Sequence, residues 1–458
     1  MLRDFAASLI NVEDRYRSGR SATRARPLIV AVHSLGWQAS KCRVAWEEHA
    51  RMIIRGYLNC GECGHPHIVR IGMGQEAQQR HQFACRSCHE PIAVGLNIDY
   101  VNISSEIFYG SNAVAAAQGA KGDVVNLDAN FLIPDEEQGK ELVFPRLEQG
   151  AAMIQKWMAD RRDKGLPAIP DVDGSPAKRP DFAAEWNDLR AAWSLWRNGK
   201  DGLSAKRIEK ASATNYAGEP LTDLADWIFR FTFALGGPRY QALFEAGVTE
   251  IRSAKSNEDY GRFCTAFTDE ISRPHGRLFF ELIKSYFAVF DEFAQVQFLI
   301  TSGADFPDAK AASSHIDAVR MFYGNAFEAF TTVVEYLAYL NNLIAGRKFD
   351  AFASMDREKY IQLDKASRFR CFETNQAFKA ICVEADNVLR NASHHGGFAF
   401  DDKTQDITYR AGKGGQGDEQ HISYTDYLRR CTELFMQAIV IMRLELVLAN
   451  NAGLRTPL

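Results

Sequence analysis

Apolar residues recur at helical spacing through most of the second half of the chain. Over residues 314–345 they fall at Ile316, Val319, Tyr323, Phe327, Phe330, Val334, Leu337 and Ile344, one face of a long helix. Residues 278–300 are apolar and aromatic around most of the circumference, the pattern of a central, buried helix. Residues 367–391 and 425–450 form two more amphipathic helices, the last with Leu428, Cys431, Phe435, Ile439, Met442 and Leu446 on one side. Between them 398–401, 406–409 and 421–424 read as short strands around a glycine-rich tip at 412–417.

The first third is patterned differently. Residues 1–50 read as short helices, with 37–54 the most periodic stretch. Strand-like pieces at 52–58, 67–71, 82–84 and 92–97 then alternate with turns. Within 101–144 only 123–134 has a legible form, a strand running out into a loop. A helix follows at 145–164, then Pro167, Pro170, Gly174, Pro176 and Pro180 mark a linker. The expected fold is mainly α: a C-terminal helical bundle with a small β-hairpin, and an N-terminal zinc-ribbon β module. Its divisions are 1–145 (ribbon about 52–100), a helical connector at 146–220, and the bundle at 221–458.

A length of 458 residues with 46 % hydrophobic and 24 % charged residues suits two or three ordinary globular cores. The net charge of −4 exerts no global pull toward nucleic acid or an anionic membrane. Arginines gather near the start (Arg15, Arg17, Arg20, Arg24, Arg26), where a solvated face is the expected role. Arg3, Asp4, Glu13 and Asp14 interrupt any leader-like apolar stretch, and no run nears the roughly 18 apolar residues of a membrane span. Five scattered cysteines beside two CxxC pairs fit a reducing compartment, so a cytoplasmic protein with no membrane partner is expected.

Cys60 and Cys63 form one CxxC pair; Cys85 and Cys88 form the other after 21 residues. Two such knuckles can close four thiolates tetrahedrally on one Zn2+, and Gly64 eases the turn after the first. With four cysteine ligands no position stays open for water, so the zinc is expected to be structural, one per chain. His65, His67, His81 and His89 are then bystanders. A ribbon surface also offers contact to nucleic acid or protein.

On a continuous helix over 367–391, Glu384, Asn387, Arg390, Asn391, His394 and His395 would share the arc opposite Phe378, Ile381, Ala385, Val388 and Leu389. Gly396 and Gly397 stop that helix. The set suits cleavage of RNA by its own 2′-hydroxyl. Histidine moves protons between the attacking and leaving oxygens. Arginine grips the phosphate and neutralises charge growing on it. Such a reaction calls for no metal.

Arg390-Asn391-Ala392-Ser393-His394-His395 resembles the R-N-x3-H motif of HEPN-domain ribonucleases, helical-bundle domains of toxins and antiviral defence effectors. The resemblance extends over roughly residues 220–458, with only those six residues sharp. It implies that Arg390 and His395 are the catalytic pair with Asn391 supporting, and that two protomers pool their motifs in one cleft. Glu384 joins this catalytic set, with His394 and Asn387 placed toward substrate binding. RNA and a second copy of the chain are the expected partners. Gly397 stands where family members silenced by nucleotide transfer carry tyrosine, which disfavours that regulation.

Weaker matches to an arginine–histidine pattern, Arg26–His33 and Arg43–His49, lack the asparagine and the helix end. The glycine tip lacks phosphate-loop spacing. Trp186, Trp193 and Trp196 read as core or interface, and Asp135, Glu136 and Glu137 as a solvated turn. The competing functional reading is a non-catalytic RNA- or protein-binding adaptor. A third gives 101–144 a role on DNA or nucleotides.

Overall fold

The computed structural model describes residues 53–72, 78–99, 104–127, 182–216, 218–302, 311, 315–394, 397–401, 404–410, 417–454, 456 and 458. The helices expected within 1–50 and 145–164, the linker at 165–180, the acidic turn at 135–137, most of the glycine tip and His395 lie outside the described residues.

Seven strands lie among the described residues of the N-terminal part. β1 (Ile53–Cys60) and β2 (Pro66–Gly72) pair antiparallel, with Leu58 opposite His67 and Asn59 opposite Pro66. β3 (Gln78–Ala84) and β4 (Pro91–Asp99) form a second hairpin, closed by Ala84 opposite Pro91. β5 (Ser104–Tyr109) extends this sheet to the order β3-β4-β5. β6 (Ala113–Ala115) and β7 (Asp123–Asn126) flank the first hairpin in the order β6-β1-β2-β7, with β7 parallel to β2. Along β3, Gln79, His81 and Phe83 turn inward and their neighbours outward, the period-two alternation of a half-buried strand. Leu58, Val69 and Ile71 from one sheet share a small core with Phe83, Ile92, Val94 and Leu96 from the other. The four strands expected here are present, each longer than its sequence pattern.

The helical part has its own, much larger core. α1 (Phe182–Arg197) buries Trp186 and Trp193 in it, and α2 (Asp201–Asn215) folds back along α1. α3 (Leu224–Ala254) starts at Asp223, whose carboxylate accepts the N–H of Asp226 at 2.8 Å. It bends at Gly237, whose φ of 62° precedes Pro238. A Cβ there would lie 2.6 Å from the Thr301 carbonyl oxygen, so the bend also needs glycine for the close approach. α4 (Tyr260–Ala266) continues through one wide π turn into α5 (Ser272–Ala288), followed by α6 (Phe290–Ser302).

The long helix expected over 314–345 is present as α7 (Ile316–Val333) and α8 (Glu335–Ile344), joined through Val334 in helical conformation. The helix expected over 278–300 is interrupted at Val289, which leaves helical geometry between α5 and α6. Among the described helices the most enclosed is instead the last one, α12 (Tyr424–Ala452), in which every residue from Cys431 to Ala449 is buried.

The amphipathic helix expected over 367–391 is three pieces. After α9 (Arg357–Gln362), a 3-10 helix (Lys365–Phe372) is followed by α10 (Gln376–Ile381) and α11 (Asn387–His394). Side-chain caps make the breaks. Asn375 accepts the N–H of Phe378 at 3.0 Å, and the Asp386 carboxylate accepts those of Val388 and Leu389 at 2.8 and 3.1 Å. Such caps restart a helix where the periodicity alone would continue it. Glu384 therefore lies in the connection before α11 and does not share its arc. β8 (Phe398–Asp401), β9 (Asp406–Arg410) and β10 (Glu419–Ser423) close the fold as a β10-β9-β8 sheet.

Candidate functional sites: a four-cysteine cluster and the end of α11

The two hairpin turns carry the two CxxC pairs, and their backbones match. Cys60 N–H donates to the His65 carbonyl and Gly64 N–H to that of Cys60, each at 2.9 Å. In the second turn Cys85 N–H donates to Glu90 at 2.9 Å and His89 N–H to Cys85 at 3.0 Å. The fourth residue after each leading cysteine is left-handed: Gly64 at φ 73° and His89 at φ 64°. His89 is thus the second turn's counterpart of Gly64, a backbone role that its place among the histidines concealed.

This superposition of turns brings all four Sγ atoms within 4.8 Å of one another. Cys60 and Cys88 stand 3.6 Å apart, as do Cys63 and Cys85. Burial opposes ionisation of Cys60, but the N–H groups of Cys63 and Glu62 and the Cys88 thiol bring it down to about 7. Cys88 is eased toward ionisation by the Glu90 N–H, yet burial and its three thiol neighbours push it up to about 12. The first thiolate forms readily and the last is resisted, which is the electrostatics of a donor set compatible with a soft tetrahedral cation such as zinc. Asn112 braces the first turn: its Oδ1 accepts the Glu62 N–H at 2.9 Å and its amide donates to the Pro91 carbonyl at 3.1 Å. Two histidines have their Nε2 atoms taken by partners other than the four thiols, one of them within the second cysteine turn. His65 Nε2 meets Asp123 at 2.8 Å, and His67 Nε2 accepts the Arg86 N–H at 3.1 Å. Burial pushes His81 down to about 4.

The second site is where α11 lies on α7. Arg320, Gly324 and Glu328 stand four residues apart on α7, and each meets a residue of α11. Arg320 donates to the Ser393 carbonyl at 3.3 Å. At Gly324 an added Cβ would fall 2.0 Å from His394 Nε2, so the imidazole occupies the space a side chain would take. Glu328 ion-pairs with Arg390, whose other Nη donates to Asn391 Oδ1 at 2.7 Å. The Arg390 side chain remains 24 % exposed and that of Glu328 37 %. Lys365 approaches Glu328 at 3.7 Å; burial first, then nearby Arg368, lowers its pKa. Beneath them Ser393 Oγ bonds the Tyr427 hydroxyl at 2.9 Å, fixing α11 to α12.

The structure therefore joins Arg390, Asn391 and His394 at one helix end, with Asn387 opening the same helix. Glu384 sits elsewhere. Burial, then the neighbouring Glu433 carboxylate, raises it to about 7, and Arg429 approaches at 4.0 Å. Glu328 was not singled out from sequence. Its signal is the Arg-Gly-Glu stripe at positions 320, 324 and 328, small and charged residues at helical spacing in a mainly apolar helix.

No family model, curated protein or solved structure matches this chain. Among the described residues no helix is long and apolar enough to cross a membrane.

Proposed function

We propose that the chain is a metal-independent endoribonuclease of the HEPN kind, a cytoplasmic toxin or antiviral defence effector. In this reading Arg390 grips the scissile phosphate, Asn391 holds the guanidinium plane, and His395 moves the proton, with His394 and Asn387 toward the RNA. The observation that carries it is the partly exposed Arg390, held by Asn391 and Glu328 beside the His394 ring. A guanidinium fixed on two sides is pre-organised for a phosphate oxygen, and Glu328 is the anion that substrate displaces. Glu384, set among α12 residues, positions the start of α11 in this scheme and does not touch substrate. The shared cleft of a homodimer supplies the second histidine that one proton donor and one acceptor require.

The four cysteines hold one structural Zn2+ per chain, making the N-terminal sheets a zinc ribbon with a surface for nucleic acid or protein.

The adaptor reading has one observation in its favour: Glu328 already neutralises Arg390 within the chain. Purified protein on mixed cellular RNA, in the presence of chelator, separates the two. The nuclease reading expects 2′,3′-cyclic phosphate ends, lost in Arg390→Ala and His395→Ala. Cutting that needs added magnesium, or equal cutting of single-stranded DNA, excludes the 2′-hydroxyl mechanism. Tight RNA binding without cleavage leaves the adaptor.

A further inference from the structure

Away from both sites, α1 ends and α2 begins beside α5, and the three enclose an open cleft of about 560 Å³. That is the size range of small-molecule sites, about 300–1,000 Å³. Trp196, Arg197, Asn198 and Asp201 line one side, and Arg273 with Arg277 the other.

Arginines dominate the side-chain charge lining this cleft. Arg273 and Arg277 lie one turn apart on α5, both exposed, and among the described residues neither forms an ion pair. Arg197 lies over the Phe280 ring at 4.4 Å, and its carboxylate neighbour, Glu281, stands 3.8 Å away while bonding Lys284 at 2.9 Å. Arg197, Arg273 and Arg277 thus face the Asp201 carboxylate, with Glu281 shared between Arg197 and Lys284. Leu458, with its terminal carboxylate, also lines the cleft and makes no ion pair with the three arginines. The start of α2 adds to the positive field, since Lys200 at its N-cap makes no side-chain cap. Mutually repelling guanidiniums around a cavity are stabilised by an anion that several of them can fork onto at once. The other lining groups are those a nucleoside uses: an indole for a base, an amide for base edges, and a carboxylate to accept from ribose hydroxyls.

We propose that this cleft binds a free nucleoside monophosphate, its phosphate on Arg197, Arg273 and Arg277, its base toward Trp196 and its ribose toward Asp201. The site is independent of the ribonuclease reading.

The test is calorimetric titration of the full chain with each of the four ribonucleoside monophosphates. Inorganic phosphate, the parent nucleosides and a short single-stranded RNA with hydroxyl termini serve as comparison probes. At least one monophosphate should bind below about 1 mM, and Arg273→Ala/Arg277→Ala should weaken it by about tenfold or more. The double lysine variant, which keeps charge but loses the fork, should retain part of the affinity. Both variants should melt as wild type does, because the two side chains are exposed. Arg390→Ala should leave this binding unchanged, which separates its failure from that of the nuclease. No monophosphate binding, equal affinity for the nucleoside or for phosphate alone, tighter binding of the RNA at this site, or indifference to the double alanine variant would each overturn the assignment.

Discussion

His275 Nδ1 lies 2.7 Å from Glu445 Oε1, and both side chains are sealed from solvent at the crossing of α5 and α12. Glu335 of α8 stands on the other side, 3.3 Å from Nε2. Burial works against the imidazolium, but the Glu445 charge and the two carboxylate contacts outweigh it and raise His275 to about 9. A histidine raised above its ordinary 6.5 contributes stability that is whole below that pH and fades as pH climbs through about 9. Urea midpoints should therefore fall between pH 6.5 and 9. Glu445→Gln should flatten that slope and cost about 3–5 kcal/mol near neutrality, because it strands a buried partner. A wild-type midpoint that stays level across the window refutes the charged pair.

The cysteine cluster makes a local prediction. Freshly purified, reduced protein should contain one zinc per chain by elemental analysis. Cys63→Ser or Cys85→Ser should abolish the metal and unfold the small two-sheet core, since closing four thiolates requires the cation. Helical circular dichroism should persist, because the helical core is built from none of these residues. Zinc-free protein with intact sheets would remove the metal from the account.

Gly324→Ala sets two effects of known size against each other. Alanine in a helix gains about 1 kcal/mol over glycine. The new Cβ, 2.0 Å from His394 Nε2, forces the ring out of its place, and overpacking of this kind costs about 1–3 kcal/mol. A lower melting temperature is expected, together with a shifted His394 resonance by NMR. If the variant is more stable and the resonance unmoved, the ring does not rest on Gly324.

Assembly is the sharpest test of the shared cleft. Arg390→Ala and His395→Ala homodimers should each be nearly inactive on RNA. Co-expressed, the two variants retain one arginine and one histidine in a common cleft and should recover activity above either parent. A wild type that is fully active as a monomer by sedimentation would place the chemistry on a single chain.

The cysteine turns were legible because spacing alone specifies them; Cys60, Cys63, Cys85 and Cys88 converge as their pattern requires. The strand at Phe398–Asp401 was legible too, bounded by glycines on one side and charges on the other. The segment before Arg390 was not. Apolar periodicity runs unbroken from Phe378 to Leu389, and the caps that start α10 at Asn375 and divide the run at Asp386 are only one and two hydrogen bonds between a polar side chain and the backbone. Periodicity reports which face is apolar, not whether the helix is continuous. The same blindness moved the central helix. Residues 278–300 look apolar around most of their circumference, yet α12 is the more enclosed, because its polar residues are buried with partners. Glu433, for one, receives Arg239 at 2.5 Å and Arg429 at 3.0 Å.

Those buried polar residues bear on how α12 finds its place. A helix coated in leucine, isoleucine and valine packs almost as well after sliding one turn along its neighbours, since hydrophobic contact has no direction. Arg443 does. Its guanidinium is enclosed by the rings of Phe244 at 4.0 Å, Phe229 at 4.7 Å and Phe233 at 5.2 Å, with Gln241 at 3.1 Å taking one N–H. Slipped by a turn, α12 would leave that cation among methyl groups and pull Glu445 off His275 and Glu433 off Arg239 together. These ionic contacts act as the notches of a ratchet, making one axial setting of the helix the lowest and holding the scaffold beneath α11 at a single height.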